Sequence, residues 1–370
     1  MTFKVTPWEV TGDVDYEKLI KEFGTQPLTD KILARLEKHT GELHYMIRRG
    51  IFISHRDLDW LLDEYEKGNK FFLYTGRGPS GHTHLGHLIP WILTKWLQDK
   101  FGAELYFQMT DDEKFLFSDK LTLKETNNFA YENALDLIAL GFKPKLTKII
   151  IDTECADTLY PLALSVAKRI TFSVVRAVFG FQNETNVGQI FFTSMQAVPA
   201  FLPSVLAGKN IPCLIPHGID QDPHFRITRD VLPRMGYYKP AALHNIFFPS
   251  LQQGNKMSAS LPDTAIFTND KPDEVKRKIW NALTGGRETI DQQRKLGGQP
   301  NLCSVFKYYY FLFETDDAEL EKRRQACLTG KLLCGECKNE LVARINKFLE
   351  KHQAGREAGR KNIGKFIFKK

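Results

Sequence analysis

The sequence predicts an α/β fold, a doubly wound parallel sheet with a helical insertion and a C-terminal all-α domain. Three observations predict it. From Phe71 onward, apolar strand-like runs alternate with longer helical patterns, which is how parallel β-α-β units are written. Between two of those runs, near Asp152 and Ile211, lie about sixty residues of mostly helical pattern, too many for a simple crossover. From Lys271 the strand signal fades, and spacings such as Leu341, Ile345, Phe348 and Leu349 are those of amphipathic helices.

The elements follow in order. Residues 71–75 form a strand, broken by Gly76-Arg77-Gly78-Pro79-Ser80-Gly81. A helix runs from about Leu85 to Asp99, with Leu88, Ile89, Ile92, Leu93 and Trp96 at helical spacing. Residues 105–109 are the next strand. Thr122 with Glu125 makes a capping box that opens a helix ending near Gly141. Residues 148–151 and 211–215 read as buried strands, and residues 243–248 as one more. The order strand, glycine-rich turn, helix is of Rossmann type, and it presents free backbone N–H groups at the carboxyl edge of the sheet. Residues 1–70 are too irregular in pattern to yield a role.

Composition sets the bounds. The 370 residues exceed what a single core organises, so two domains are expected; 42% hydrophobic and 26% charged residues are ordinary for a folded chain. The net charge of +7 suits a polyanionic partner, and the excess is visible in Arg356, Arg360, Lys361, Lys365, Lys369 and Lys370 against Glu357 alone. No run approaches the roughly 20 apolar residues of a membrane span, and the first six residues carry no apolar leader, so a cytoplasmic protein with no membrane partner is expected. The six cysteines, at 155, 213, 303, 327, 334 and 337, are scattered and read as reduced thiols. Cys334 and Cys337 make a single C-x-x-C, read as two neighbours on a helix face rather than a zinc site.

The chemistry lies beyond the glycine turn, which has neither Walker A nor dinucleotide-binding spacing. His84-Leu85-Gly86-His87 places two imidazoles one helical turn apart. Alone, the pair reads rather as two helix-starting histidines with no role, and the missing glutamate and third ligand disfavour a zinc site. Far downstream stands Lys256-Met257-Ser258-Ala259-Ser260. Together and in this order the two segments resemble the ATP motifs of class I aminoacyl-tRNA synthetases. Ala259 departs from the commonest pattern, which often has a second lysine there, so the loop charge rests on Lys256.

Three further stretches narrow the resemblance: 74–80 (YTGRGPS), 108–114 (QMTDDEK) and 219–223 (IDQDP). They look like the eukaryotic-type cytosolic tryptophanyl-tRNA synthetases, a branch shared with archaea, over about residues 8–353. The resemblance implies a ligase that forms tryptophanyl-adenylate from ATP and L-tryptophan and transfers the amino acid to tRNA(Trp). It implies His84, His87, Lys256 and Ser258 as catalytic residues. It places Gly76, Arg77, Gly86 and Met257 with them around ATP, which enters as a substrate with Mg2+, and it implies no tightly bound cofactor or protein-caged metal. Tyr74, Gln108, Glu113, Gln196 and Gln221 would hold tryptophan, and Arg287 and Glu288 the tRNA. It further implies a homodimer through the insertion, with Phe172, Val175, Val178, Phe179 and Phe181 as interface or, equally, as core.

The implied domains are an N-terminal extension packed on the catalytic domain (1–70), with Trp8 over the site; a catalytic domain (71–262) carrying the insertion at about 153–210; a helical anticodon-binding domain (263–352); and a basic tail (353–370). Chemistry agrees with the branch. Indole offers one donor N–H, so a discriminating pocket needs a buried acceptor, which Gln108 or Tyr74 can supply. Asp111, Asp112 and Asp222 read as loop charges or helix caps as readily as ammonium contacts. Two rivals share the motifs: a tyrosyl enzyme, and a noncatalytic RNA-binding relative.

Overall fold

The computed structural model describes residues 4–7, 10–11, 14–252, 257 and 261–369. Its centre is a seven-stranded sheet in the order β3-β4-β9-β8-β5-β6-β7. The strands are β3 (Gln26–Pro27), β4 (Phe52–Arg56), β5 (Phe72–Arg77), β6 (Leu105–Met109), β7 (Thr147–Ile151), β8 (Cys213–Gly218) and β9 (Ala241–Asn245). From β9 to β7 all neighbours are parallel; β4 joins β9, and β3 joins β4, antiparallel. A separate ribbon pairs β1 (Lys4–Val5) with β2 (Val10–Thr11).

The parallel strands are near-continuous apolar runs because both faces are covered. Alternate side chains of β5 and β6 feed two cores: Leu73, Leu105, Phe107 and Met109 pack on one face, Phe72, Tyr74 and Tyr106 on the other. The first face is covered by the helices Leu85–Phe101 and Leu123–Ala139, the second by the insertion, whose helices are Ala156–Ala167, Phe172–Phe179, Val187–Met195 and Leu202–Ala207. Thr122 and Glu125 form the expected capping box. Strand β5 reaches two residues past the expected break, to Arg77, because Gly76 and Arg77 keep pairing with β6. Strand β9 starts and ends earlier than residues 243–248.

The N-terminal segment corrects the sequence reading, since β3 and β4 are part of the sheet. Buried polar residues hide β4 from a hydrophobicity pattern: Ser54 shares a hydrogen bond with Nδ1 of His244 at 2.9 Å, and His55 Nδ1 accepts from the Leu58 N–H. The basic tail is a second correction. The helix Cys334–Arg360 runs straight across residue 353 and packs along Leu123–Ala139. Gly355 and Gly359 allow the approach, because a Cβ on either would stand 3.2 Å from Ala139 Cα or 3.0 Å from Ile138 Cγ2. Arg356 and Arg360 are spent on Glu132 and Asp136, so part of the terminal charge excess is neutralised inside the molecule. Beyond it, Phe366 accepts from and Phe368 donates to Ile149, covering the free edge of β7. Among the described residues no helix is long and apolar enough to cross a membrane.

Candidate active site

The strand order reverses between β5 and β8, and in open α/β sheets ligands bind at the carboxyl edge of that crevice. A cavity of about 270 Å³ lies there. Its walls come from the ends of β5 (Thr75, Gly76, Arg77), β8 (His217, Gly218) and β9 (Asn245), from the start of the Leu85–Phe101 helix, and from Pro7 of the N-terminal segment.

One end gathers donors. His84 and His87 stack with ring centroids 3.5 Å apart. The His84 N–H donates to His87 Nδ1 at 3.1 Å, so the imidazole proton falls on Nε2, which lies 2.8 Å from Arg77 Nη1. Two N–H donors therefore stand side by side, and an anionic oxygen beside the pair, rather than between them, can accept from both. Burial lowers the Arg77 pKa to about 10, which still leaves it charged at neutral pH. Gly86 is required where it stands, since a Cβ would come within 3.1 Å of the His84 ring and 3.5 Å of the Met257 sulfur. Met257, the described residue of the second motif, thus stands against the first. Lys256, Ser258, Ala259 and Ser260, like Trp8, lie outside the described residues.

The other end is built of amides. Tyr74 and Gln108 meet as expected, but beneath the cavity rather than on its wall. The Tyr74 hydroxyl donates to Gln108 Oε1 at 2.5 Å, and Gln196 Nε2 donates to Tyr74 Oη at 2.6 Å and to Gln108 Oε1 at 3.0 Å. Gln196 is the member of this trio that lines the cavity. Behind it, Gln108 Nε2 donates to both oxygens of Asp152 at 3.0 and 2.8 Å, which fixes the amide with its carbonyl toward Tyr74. Sequence reasoning missed Asp152, which follows the three isoleucines that end β7 and has no motif around it.

Glu113 stands on the short helix after β6. Burial pushes its carboxyl up, but Lys114 Nζ at 2.8 Å and the Thr110 hydroxyl at 2.8 Å outweigh that and hold it below its ordinary range. Gly78 leaves room for this pair: a Cβ there would lie 2.7 Å from Glu113 Oε2. Gln221 donates to Pro7 O and Asp220 Oδ2, each at 3.2 Å.

The three undecided aspartates separate. Asp111 is buried and accepts from the N–H and hydroxyl of Thr153, far along the chain, tying its short helix to the end of β7. Asp222 accepts Nε and Nη2 of Arg56 at 2.7 and 2.8 Å and is held far below the carboxylate range. His217, Asp222 and His244 bring ligand atoms within 4.8 Å of one another, yet the Arg56 guanidinium occupies both carboxylate oxygens and opposes a second cation. Asp112 pairs with Asp152; burial, then the neighbouring Asp111 and Glu113 charges, push it up to about 7. The folded chain then retains a proton that the unfolded chain has released, so stability from this pair is present at low pH and is lost as pH rises through about 7. Wild-type Tm should fall by a few degrees between pH 5 and 8 from this source, and Asp112→Asn should flatten that fall; parallel profiles would refute the shared proton.

Also unforeseen were His217, Asn245, Trp91, Phe225 and Lys114 on the cavity wall. Burial keeps His217 neutral, down to about 3, and its Nδ1–H donates to Gly218 O at 2.8 Å. Its position after Cys213-Leu214-Ile215-Pro216, at a strand's carboxyl end, was the available signal.

Outside the cleft, Arg287 is half-buried, its Nε donating to Gly297 O at 2.9 Å, while Glu288 is exposed. In the insertion, Val175, Phe179 and Phe181 are core, packed with Phe192 and His224. Phe172 is 45% exposed, together with Tyr160, Leu164, Val174 and Val187.

A cleft at the switch point, with Arg77 and N–H donors at one end and a hydrogen-bonded amide pocket at the other, defines an α/β protein built to hold an anionic group beside a polar one. Residues 66–350 match the family described as tRNA synthetases class I (W and Y), and the chain belongs to that family. Within it the chain stands with the tryptophan–tRNA ligases. It is 53% identical to the tryptophan–tRNA ligase of Pyrobaculum aerophilum over 98% of this chain and 97% of that one. It is 52% identical to that of Thermococcus onnurineus over 99% and 94%. The crystal structure of Plasmodium falciparum tryptophanyl-tRNA synthetase superposes with a TM-score of 0.90, at 40% identity, over 96% of this chain and 98% of that one. These curated relatives are archaeal, so the expected eukaryotic type gives way to the broader class I tryptophanyl assignment.

Proposed function

We propose that the cleft activates L-tryptophan with ATP, as Mg·ATP, and passes the tryptophanyl group from its adenylate to tRNA(Trp). The observation that carries this reading is the meeting of Met257 with Gly86 and His84 at one end of a cavity whose other end holds Glu113, Gln196 and Gln221. The nucleophile is the substrate carboxylate, ionised at neutral pH with a reference pKa of about 3.5, so no general base is needed. The chain's task is to hold that carboxylate in line with the α-phosphorus and to stabilise charge moving to pyrophosphate. His84, His87, Arg77 and the helix N–H groups at Gly86 take the phosphate oxygens, and Lys256 and Ser258, by the family pattern, serve the same phosphates.

At the amide end, Glu113 takes the α-ammonium with Gln221. Gln196 swings from Tyr74 and Gln108 and leaves their oxygens to accept the indole N–H. A tyrosine side chain requires both a donor and an acceptor at its hydroxyl, whereas Gln108, with its amide N–H groups turned to Asp152, presents only its carbonyl. That favours tryptophan over the tyrosyl alternative. ATP–pyrophosphate exchange measured with each of the twenty amino acids tests it: tryptophan alone should support exchange, and exchange with tyrosine, or none with any, would overturn it.

The helical part, residues 263–352, reads the anticodon, with Glu288 exposed for a base edge and Arg287 anchoring the loop. Glu288→Lys should lower aminoacylation about tenfold or more while sparing exchange; equal loss of both contradicts it. The enzyme works as a cytoplasmic homodimer through the exposed apolar face of the insertion. Phe172→Asp should turn a dimer into a monomer by light scattering at micromolar concentration, and an unchanged mass would remove that surface from the interface. The relatedness to archaeal ligases and to the Plasmodium structure supports a branch common to archaea and eukaryotes.

A further inference from the structure

The turn that delivers His84 and His87 to the cleft is held from two sides by residues that do not line the cavity. On one side the chain that follows the second motif returns as residues 266–270 and pairs with it. Leu85 N–H donates to Ile266 O at 3.0 Å, Thr268 N–H to Thr83 O at 2.9 Å and the Thr268 hydroxyl to the same carbonyl at 3.1 Å. His84 and Phe267 form an antiparallel bridge, their rings edge to face with centroids 6.1 Å apart. On the other side Asn133 donates from Nδ2 to Gly81 O at 3.1 Å, while its Oδ1 accepts from Arg77 Nε at 3.0 Å. Two carbonyls of one short turn, at Gly81 and Thr83, are thereby fixed from opposite elements.

Both supports rest on a single turn of the helix Cys334–Arg360. Gln353 Nε2 donates to Thr268 O at 3.0 Å and to Asp270 O at 3.2 Å. His352 Nε2 donates to Asp136 Oδ1 at 2.9 Å, and Arg356 pairs with Asp136 at 2.5 Å and with Glu132 at 2.8 Å. Glu132 and Asp136 lie on the helix Leu123–Ala139, on either side of Asn133 in the chain. Asp270 is anchored in its turn: its Oδ2 accepts the Phe267 N–H at 2.9 Å and Lys278 Nζ at 2.6 Å, and both members of this ion pair are buried. A buried pair offsets its desolvation only in close geometry, so displacement of residues 267–270 is strongly opposed.

The imidazoles depend on this backbone. The His84 N–H is spent on His87 Nδ1, so both rings follow where residues 83–85 are placed. Donors that stabilise charge on a departing pyrophosphate act by being preorganised, and a displacement of about 1 Å can cost about 10²-fold in rate.

We propose that Thr268 and Gln353 are positioning residues for the phosphate end of the cleft: through them the C-terminal helix fixes the backbone of residues 83–85, and with it His84 and His87. The proposal rests on the reading of the cleft as an ATP site. Neither side chain lines the cavity, so each acts through the histidines and not on the nucleotide.

The test is ATP–pyrophosphate exchange by the full chain, with ATP and tryptophan varied in turn. Thr268→Val removes the hydroxyl and keeps the shape of the side chain; Gln353→Ala removes both contacts to residues 268–270. Each should lower kcat/KM for ATP by about 10- to 100-fold, with KM for tryptophan held near the wild-type value. Thr268→Ser, which keeps the hydroxyl, should restore most of the rate. Ile345→Val is a buried change on the same helix, and it should lower Tm by a few degrees with the exchange constants unaltered. Unchanged ATP constants in Thr268→Val and Gln353→Ala, equal losses for both substrates, or the same kinetic loss in Ile345→Val would each overturn the proposal. Gln353 is half-buried, so its alanine variant decides the matter even if Thr268→Val fails to fold. A wild-type chain without exchange would instead refute the ATP reading itself, and the proposal with it.

Discussion

Replacing Arg77 with alanine should lower kcat for ATP–pyrophosphate exchange by about 10² to 10³, the loss expected when one preorganised donor is taken from a developing negative charge. The reason lies in where β5 ends. Gly76 and Arg77 continue the ladder with β6 for two residues beyond the apolar run, and this carries the guanidinium to the mouth of the cleft. Asn133 accepts from its Nε at 3.0 Å, which fixes the plane, and His87 Nε2 lies 2.8 Å from Nη1. A charge held this way needs no reorganisation when pyrophosphate departs. Lysine at the same place keeps the charge but loses the fork, so Arg77→Lys should recover only part of the rate. Because Arg77 also holds Asn133, thermal melting of the variant must accompany the kinetics. A full rate in a normally melting Arg77→Ala variant would remove Arg77 from the phosphate end.

Glu113→Gln should act on the other substrate. Its charge is kept in place by Lys114 and Thr110 at the wall of the cavity. Removing it strips the α-ammonium of its counter-charge and leaves Lys114 unpaired and facing that ammonium. Truncating one partner of a buried charge pair costs about 2 to 5 kcal/mol, so KM for tryptophan should rise about 30-fold or more. KM for ATP should change far less. Equal effects on both substrates would mean that Glu113 acts through the fold of the site and not on the amino acid.

The parts of the molecule visible in the sequence are those where one physical rule governs a whole segment. Strands β6 and β7 are mostly apolar with both faces covered, Leu105-Tyr106-Phe107 in one and Ile149-Ile150-Ile151 in the other, and their positions were readable to within a residue. The Thr122 capping box was readable because both partners are local. Strand β4 was not, because Ser54 is a polar residue whose buried partner, His244, lies almost two hundred residues away, and His55 beside it is a second polar residue in the strand.

Within the cleft, the motifs singled out His84 and His87, which stack on the cavity wall. They could not reveal that Tyr74 and Gln108 lie under Gln196, or that Asp152 orients Gln108 from behind, since both depend on how β5, β6 and β7 stand side by side. The terminal basic run misled for a related reason: Glu132 and Asp136, which consume Arg356 and Arg360, belong to a helix more than two hundred residues earlier.

The central claim is that one cavity serves nucleotide and indole together, with the His84-Gly86-His87 and Met257 segments at one end and the amide trio at the other. A crystal structure with a nonhydrolysable tryptophanyl-adenylate analogue tests it most directly. The account predicts the phosphate mimic against His84, His87 and Arg77, the ammonium on Glu113, and the indole N–H on Tyr74 or Gln108 with Gln196 displaced. An analogue bound elsewhere, or bound here with its indole away from Tyr74 and Gln108, would contradict it.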